Sequence, residues 1–275
     1  MLLAVSTETN LVALSVVIYA LAAISLVVNT RSGKPAAGVV AALIMAAPLL
    51  LLVTITGRWI REGQGPFLTI YDVLLSNLCT LGLIFGLLYL YVPKIRVSGI
   101  VVLPFLVILG VWLVGQSPTA VPLPATFDSY WLWLHVLSGK FFLGFCLVGT
   151  ALALLLLLGR MRSPKRHSPS QPSTQELDVS VWQFMSIAFV CHSCMLVAGS
   201  VWAHSAWGRY WAWDPLETWS LITWLCLGAT LHAKVTFSRM PAWSGWSMAV
   251  GVFVLAFLTF FGVPFVSLAP HKGVM

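Results

Sequence analysis

Charge is what this sequence has least of. Of 275 residues only 8 % are Asp, Glu, Lys or Arg, and the acidic residues number 8. A soluble domain carries roughly a quarter charged residues. The 59 % hydrophobic content is more apolar surface than a globular core can hide, so lipid is the medium the fold requires. Cysteine is scarce too. There are 5, an odd number, most of them inside apolar runs, which excludes a disulfide framework. The first apolar run has no basic leader and no small-residue cleavage site, so it is expected to remain as a span. The net charge of +7 comes from basic residues scattered through short loops. That pattern excludes a nucleic-acid stripe and reads as a topology signal.

What is there is a series of long apolar runs. Eight can cross a bilayer, at about 20 residues each: 10–29, 36–56, 70–92, 97–115, 136–159, 180–203, 217–236 and 247–266. The expected fold class is an all-α integral membrane protein with about eight transmembrane helices, forming a single polytopic domain over 1–275 with no strong internal repeat. Lys and Arg set the orientation. Arg31, Lys34, Lys94, Arg96, Arg160, Arg162, Lys165, Arg166, Lys234 and Arg239 fall on one side. Arg58, Arg61, Arg209 and Lys272, with Lys140 near a span end, fall on the other. The richer side is expected to be cytoplasmic, with both termini outside. The polar stretch 160–178 then reads as a cytoplasmic linker of low order. The loop 116–135, the loop 204–216 and the tail after 266 are outside.

Aromatics gather in one of these outer loops. Residues 202–219 read WAHSAWGRYWAWDPLETW. An interfacial belt is the ordinary explanation, since Trp and Tyr favour the headgroup level. A belt spreads around the whole perimeter, however, and these residues concentrate in one segment. Trp207, Tyr210, Trp211 and Trp213, with Gly208 for close approach and Arg209 for an anion, suit a flat, hydrophobic, carboxylate-bearing ligand. Asp214, Pro215 and Glu217 have the spacing of a capping box opening the next helix. That role is compatible with a ligand-binding one, because it anchors the loop to a helix end.

Five of the six histidines lie in or beside spans, where an ionisable residue is a functional candidate. His135 opens the fifth span and His271 follows the eighth, both on the outer side. Facing imidazoles of this kind can hold a planar metal macrocycle, although each alone also reads as an interfacial polar residue. His232 stands about 22 Å deeper along the seventh helix at 1.5 Å per residue, beside Lys234, where a snorkelling histidine is the alternative. His192 lies within Cys191-His192-Ser193-Cys194, which is either a redox or metal motif or a set of small core residues. His204 adjoins the tryptophans as a possible second donor near the ligand, and His167 lies in the linker.

The stretch WAHSAWGRYWAWDPLETWSLITW resembles the "WWD" signature of membrane haem-handling proteins in cytochrome c maturation, most closely the CcsA/ResC-type cytochrome c biogenesis proteins. The likeness runs over most of the chain from about residue 58. It implies a protein that brings b-type haem to an outer-face site and assists its thioether attachment to apocytochrome c. The tryptophan segment, including Asp214, would bind the haem, with His135 and His271 as axial ligands and His232 on the inner part of the haem path. The resemblance also implies a second membrane subunit and a client bearing Cys-x-x-Cys-His. It implies a bacterial plasma membrane or, alternatively, a thylakoid. Arg58, Trp59, Gly63, Pro66, Tyr71 and Asp72 match a further outer segment of the family, and Arg209 or Arg58 would pair with haem propionates. The family's usual His and Ser-Asn in that segment are replaced by Gln64 and Leu68-Thr69, and its usual Asn by His204. Two other classes stay open: a small-molecule or ion transporter using His192 and His232, and a quinone-linked redox protein using Cys191 and Cys194.

Overall fold

The computed structural model describes residues 2–32, 37–66, 68–159, 172–237 and 239–263. His271, one of the two expected iron ligands, lies outside them. Among the described residues there are eight α-helices: α1 (Leu2–Ser32), α2 (Ala37–Glu62), α3 (Ile70–Tyr91), α4 (Gly99–Val114), α5 (Tyr130–Leu157), α6 (Thr174–Trp207), α7 (Pro215–Thr236) and α8 (Ala242–Phe257). Among the described residues there is no strand. Seven helical segments among the described residues are long and apolar enough to span a membrane; α7 is the exception, because Thr, Ser and Trp interrupt its leucines. Large apolar side chains lie exposed along the helices, among them Val17, Ile24, Ile108, Val190, Val197 and Leu225. Lipid, not water, is the solvent such faces require. The chain is an all-helical integral membrane protein.

Local chemistry sets the helix ends. α3 opens with a capping box: Asp72 N–H donates to Thr69 Oγ1 at 3.1 Å and Thr69 N–H to Asp72 Oδ2 at 3.2 Å. α6 opens the same way through Ser173 and Glu176, which leaves fewer orphan amides at each start. α6 therefore takes up residues 174–178 of the expected linker, while 160–171 are outside the described residues. α2 runs six residues past the apolar run 36–56, and α5 starts six before 136. Hydropathy falls off near a membrane surface before helical geometry does. His135 consequently sits in the second turn of a helix, and α6 absorbs residues 204–207 of an expected loop.

The described residues fall into two compact units, divided between Leu123 and Pro124. In the first, α3 is the most deeply buried helix, with α1, α2 and α4 around it. Gly82 on α3 makes room for Tyr19, because a Cβ there would collide with the tyrosine hydroxyl. The same unit holds a buried charge cluster. Arg58 donates from Nε to Asp72 at 2.8 Å, from Nη1 to Glu8 at 3.3 Å and Pro118 O at 3.0 Å, and from Nη2 to Thr119 O at 3.1 Å. Tyr71 lies under the guanidinium at 5.2 Å. In the second unit α5 is central, packed on α6 and α8, and α7 lies against α6 and α8. Asp178 on α6 ties three helices there. It accepts from the indoles of Trp182 at 3.0 Å and Trp246 at 2.7 Å and from Lys234 at 3.1 Å.

Candidate functional site

The tryptophan segment is a tight loop between two well-made helix ends. α6 stops at Gly208, whose φ is +73° and whose N–H donates to His204 O at 2.9 Å. A left-handed residue closing a helix in this way is cheap only for glycine. At the other end Asp214 is the N-cap of α7, accepting from Glu217 N–H at 2.9 Å. The expected capping box is modified here. The Glu217 carboxylate turns back to the N–H of Ala212 at 2.7 Å, so it clasps the loop as well as the helix start. Thr218 adds a bond to Trp213 O at 3.3 Å.

Between these clamps Trp213 has φ +59°, a backbone conformation that a bulky L-residue adopts only when its surroundings impose it. The residue is 70 % exposed, and its ring meets Trp211 edge-on at 5.9 Å. Trp211 Nε1 is buried with no hydrogen-bond partner among the described residues. Tyr210 stacks on His204 at 4.2 Å, and Arg209 is exposed. The loop thus presents an indole face, a phenol and a guanidinium outward on a backbone that is held from both sides.

His135 joins this surface through a residue that was not among the expected ligands. Trp207 packs edge-on against Trp202 at 4.9 Å, and Trp202 lies nearly parallel to the His135 ring at 6.3 Å. Trp202 is itself buried, with its indole N–H on Thr126 O at 2.9 Å and Phe127 edge-on at 5.4 Å. His135 Nδ1 lies 2.8 Å from Met195 O. A carbonyl only accepts, so Nδ1 carries the proton and the lone pair is on Nε2. That is the arrangement of a metal-ligating imidazole whose other nitrogen is oriented by a second partner. The clue in the sequence was Trp202 itself, five residues before Trp207, but only the α5–α6 contact shows which aromatic reaches the histidine.

The remaining candidates lie elsewhere. His232 is exposed near the end of α7, its Nε2 3.3 Å from Thr236 Oγ1. It is about 26 Å along the helix from Pro215 at 1.5 Å per residue. His192 is buried in the second unit, stacked on Phe142 at 4.1 Å, with neither ring nitrogen hydrogen-bonded among the described residues. Cys191 and Cys194 are both free thiols. Among the described residues no group of three or more His, Cys, Asp or Glu could hold a metal ion. Arg58 is corrected as a propionate partner, because its side chain is only 4 % exposed and its guanidinium is spent on Asp72, Glu8 and two carbonyls. Arg209 keeps that role open.

Comparison with known proteins gives a consistent picture. The family model described as cytochrome C assembly protein matches residues 8–271. The chain is 32 % identical over 252 residues to the cytochrome c biogenesis protein CcsA of Guillardia theta, covering 82 % of this chain and 83 % of that one. It is 29 % identical over 271 residues to CcsA of Synechococcus sp. (strain CC9902), covering 86 % of each. Among solved structures it resembles cytochrome c heme lyase CcmF in fold, with a TM-score of 0.72 at 18 % identity over 94 % of this chain. It spans 46 % of that longer protein.

Proposed function

The chain belongs to the cytochrome c assembly protein family, and from that premise we propose that it holds haem at the outer face of the membrane for attachment to apocytochrome c. The observation that supports this most directly is the continuity from His135 through Trp202 to Trp207. It sets a metal-competent imidazole beside a rigid tryptophan loop. Haem is the substrate here, in its b-type form before attachment. Trp207, Gly208, Tyr210, Trp211 and Trp213 supply the aromatic docking surface, and Asp214 holds that loop on α7. Arg209, exposed beside the rings, pairs with a propionate, since guanidinium matches carboxylate geometry. His135 and His271 hold the iron, and His232 lies on the inner part of the path.

The attachment step follows from the client's own groups. Each thiol of the apocytochrome Cys-x-x-Cys-His adds across a haem vinyl group, forming a C–S bond while the thiol hydrogen goes to the neighbouring carbon. The client histidine takes the iron position of one of the protein's ligands. This chain binds, orients and shields the haem, working with a second membrane subunit. Both termini face the outer compartment of a bacterial plasma membrane or a thylakoid.

The test is spectroscopic. The protein purified from membranes with its partner subunit is expected to show a low-spin haem spectrum and a b-type pyridine haemochrome. His135→Ala and His271→Ala are each expected to remove the low-spin signal. A preparation devoid of haem would overturn the reading, and an unchanged spectrum in both variants would remove the ligand assignment.

A further inference from the structure

Three features of α6 converge on His135. The first is the carbonyl of Met195, 2.8 Å from Nδ1. In a continuous helix that oxygen also accepts the N–H of residue 199, so the imidazole approaches α6 directly over position 199. The second is the residue at that position. A Cβ added to Gly199 would stand 2.5 Å from His135 Nδ1 and 2.9 Å from Cε1. Real Cβ atoms do not approach so closely, so the ring would have to leave its place over the Met195 carbonyl. The third is Trp202, one turn further along α6, which lies over the same ring and is pinned by its indole N–H to Thr126 O.

We infer that Gly199 and Trp202 are positioning residues for the His135 imidazole, resting on the reading of His135 as an iron ligand. Gly199 admits the ring to the Met195 carbonyl, which selects the tautomer with its lone pair on Nε2. Trp202 fixes the ring plane and couples it to Trp207, so the orientation of the ligand and the position of the tryptophan surface are set together. Neither residue touches the haem in this account. Both act through His135. Ordering an imidazole by a carbonyl acceptor also strengthens it as a donor to iron, and loss of such a partner typically lowers metal affinity by about 10–100-fold.

The experiment uses the full chain with its partner subunit and two readouts, one of which needs no haem. With ¹⁵N-histidine labelling, His135 (assigned by its loss in His135→Ala) is expected to be protonated at Nδ1 and bare at Nε2 in the haem-free protein. Gly199→Ala is expected to lose that tautomer signature and, in membranes, to retain roughly tenfold less haem or more. Free imidazole should restore its low-spin spectrum. Trp202→Phe keeps an aromatic ring over the histidine but not the bond to Thr126. It is expected to keep the tautomer and change the low-spin spectrum. Ser200→Ala, at a half-buried neighbour whose hydroxyl donates within its own helix to Val197 O, should change neither readout. An Nε2-protonated His135 in the unaltered protein, or a Gly199→Ala protein with both readouts unchanged, would overturn the inference. A wild-type protein that retains no haem from membranes with its partner subunit present, yet shows the Nδ1-protonated tautomer, would overturn the haem reading while leaving the positioning of His135 intact.

Discussion

Trp213 offers the most discriminating single test of the loop. Its φ of +59° costs an L-residue roughly 1–2 kcal/mol, while the residue is 70 % exposed and gives little burial in return. Replacing it by Ala and by Gly removes the same edge-on pair with Trp211, so the difference between the two variants isolates the backbone. At an ordinary position Gly is less stable than Ala by roughly 0.5–1 kcal/mol, because its unfolded chain is freer. At a left-handed position the relief of strain outweighs that term. Trp213→Gly is therefore expected to be more stable than Trp213→Ala by about 1 kcal/mol, or about 2 °C in melting temperature for a chain of this size. The assay is thermal unfolding of the purified protein in detergent. Both variants should also lose haem retention, since each lacks the indole. A Gly variant that melts at or below the Ala variant would refute the claim that clamps at Ala212, Asp214 and Thr218 hold this residue in strain.

Other outcomes follow from the buried polar groups. Arg58→Met leaves Asp72 buried without its cation and Glu8 with Arg61 alone, and is expected to cost about 3–5 kcal/mol, visible as a large drop in melting temperature; no drop would mean the cluster is solvated. His192→Leu removes an imidazole with no hydrogen-bond partner among the described residues and should raise stability by about 1 kcal/mol. A loss of stability instead would reveal a partner for that ring. Asp178→Asn keeps a neutral acceptor for the two indoles and loses only its part-exposed pair with Lys234, so it should cost less than about 1 kcal/mol. Asp178→Ala strips both indoles of their acceptor and should cost about 2 kcal/mol or more; equal melting of the two variants would contradict that division.

Much of the architecture was legible before any coordinates. Each membrane-spanning helix must satisfy its own backbone and bury or expose its own apolar face. Eight helices could therefore be counted from runs of local hydropathy, and Asp214 could be read as a helix cap from its neighbours alone. The spans were misplaced by several residues where polar side chains sit on helical backbone, at Arg58, Arg61 and His135. The tryptophan loop was legible as a cluster of aromatics running into a helix cap, but not its strain at Trp213, because φ at one residue is imposed by bonds from Glu217 and Thr218 further on.

The sequence by itself determined the membrane environment, the number of helices, the family and the cluster of tryptophans, since each is written in composition or in contiguous residues. Tertiary structure alone decided which groups meet. Arg58 was assigned to a buried cluster with Asp72 and Glu8 instead of to a ligand. Trp202, Gly199 and the Met195 carbonyl were brought around His135. The reason is physical: these contacts join groups on different helices, Arg58 and Asp72 14 residues apart, Arg58 and Glu8 50, His135 and Met195 60. They depend on how α2 is set against α3 and α1, and α5 against α6, and local hydropathy carries no record of that.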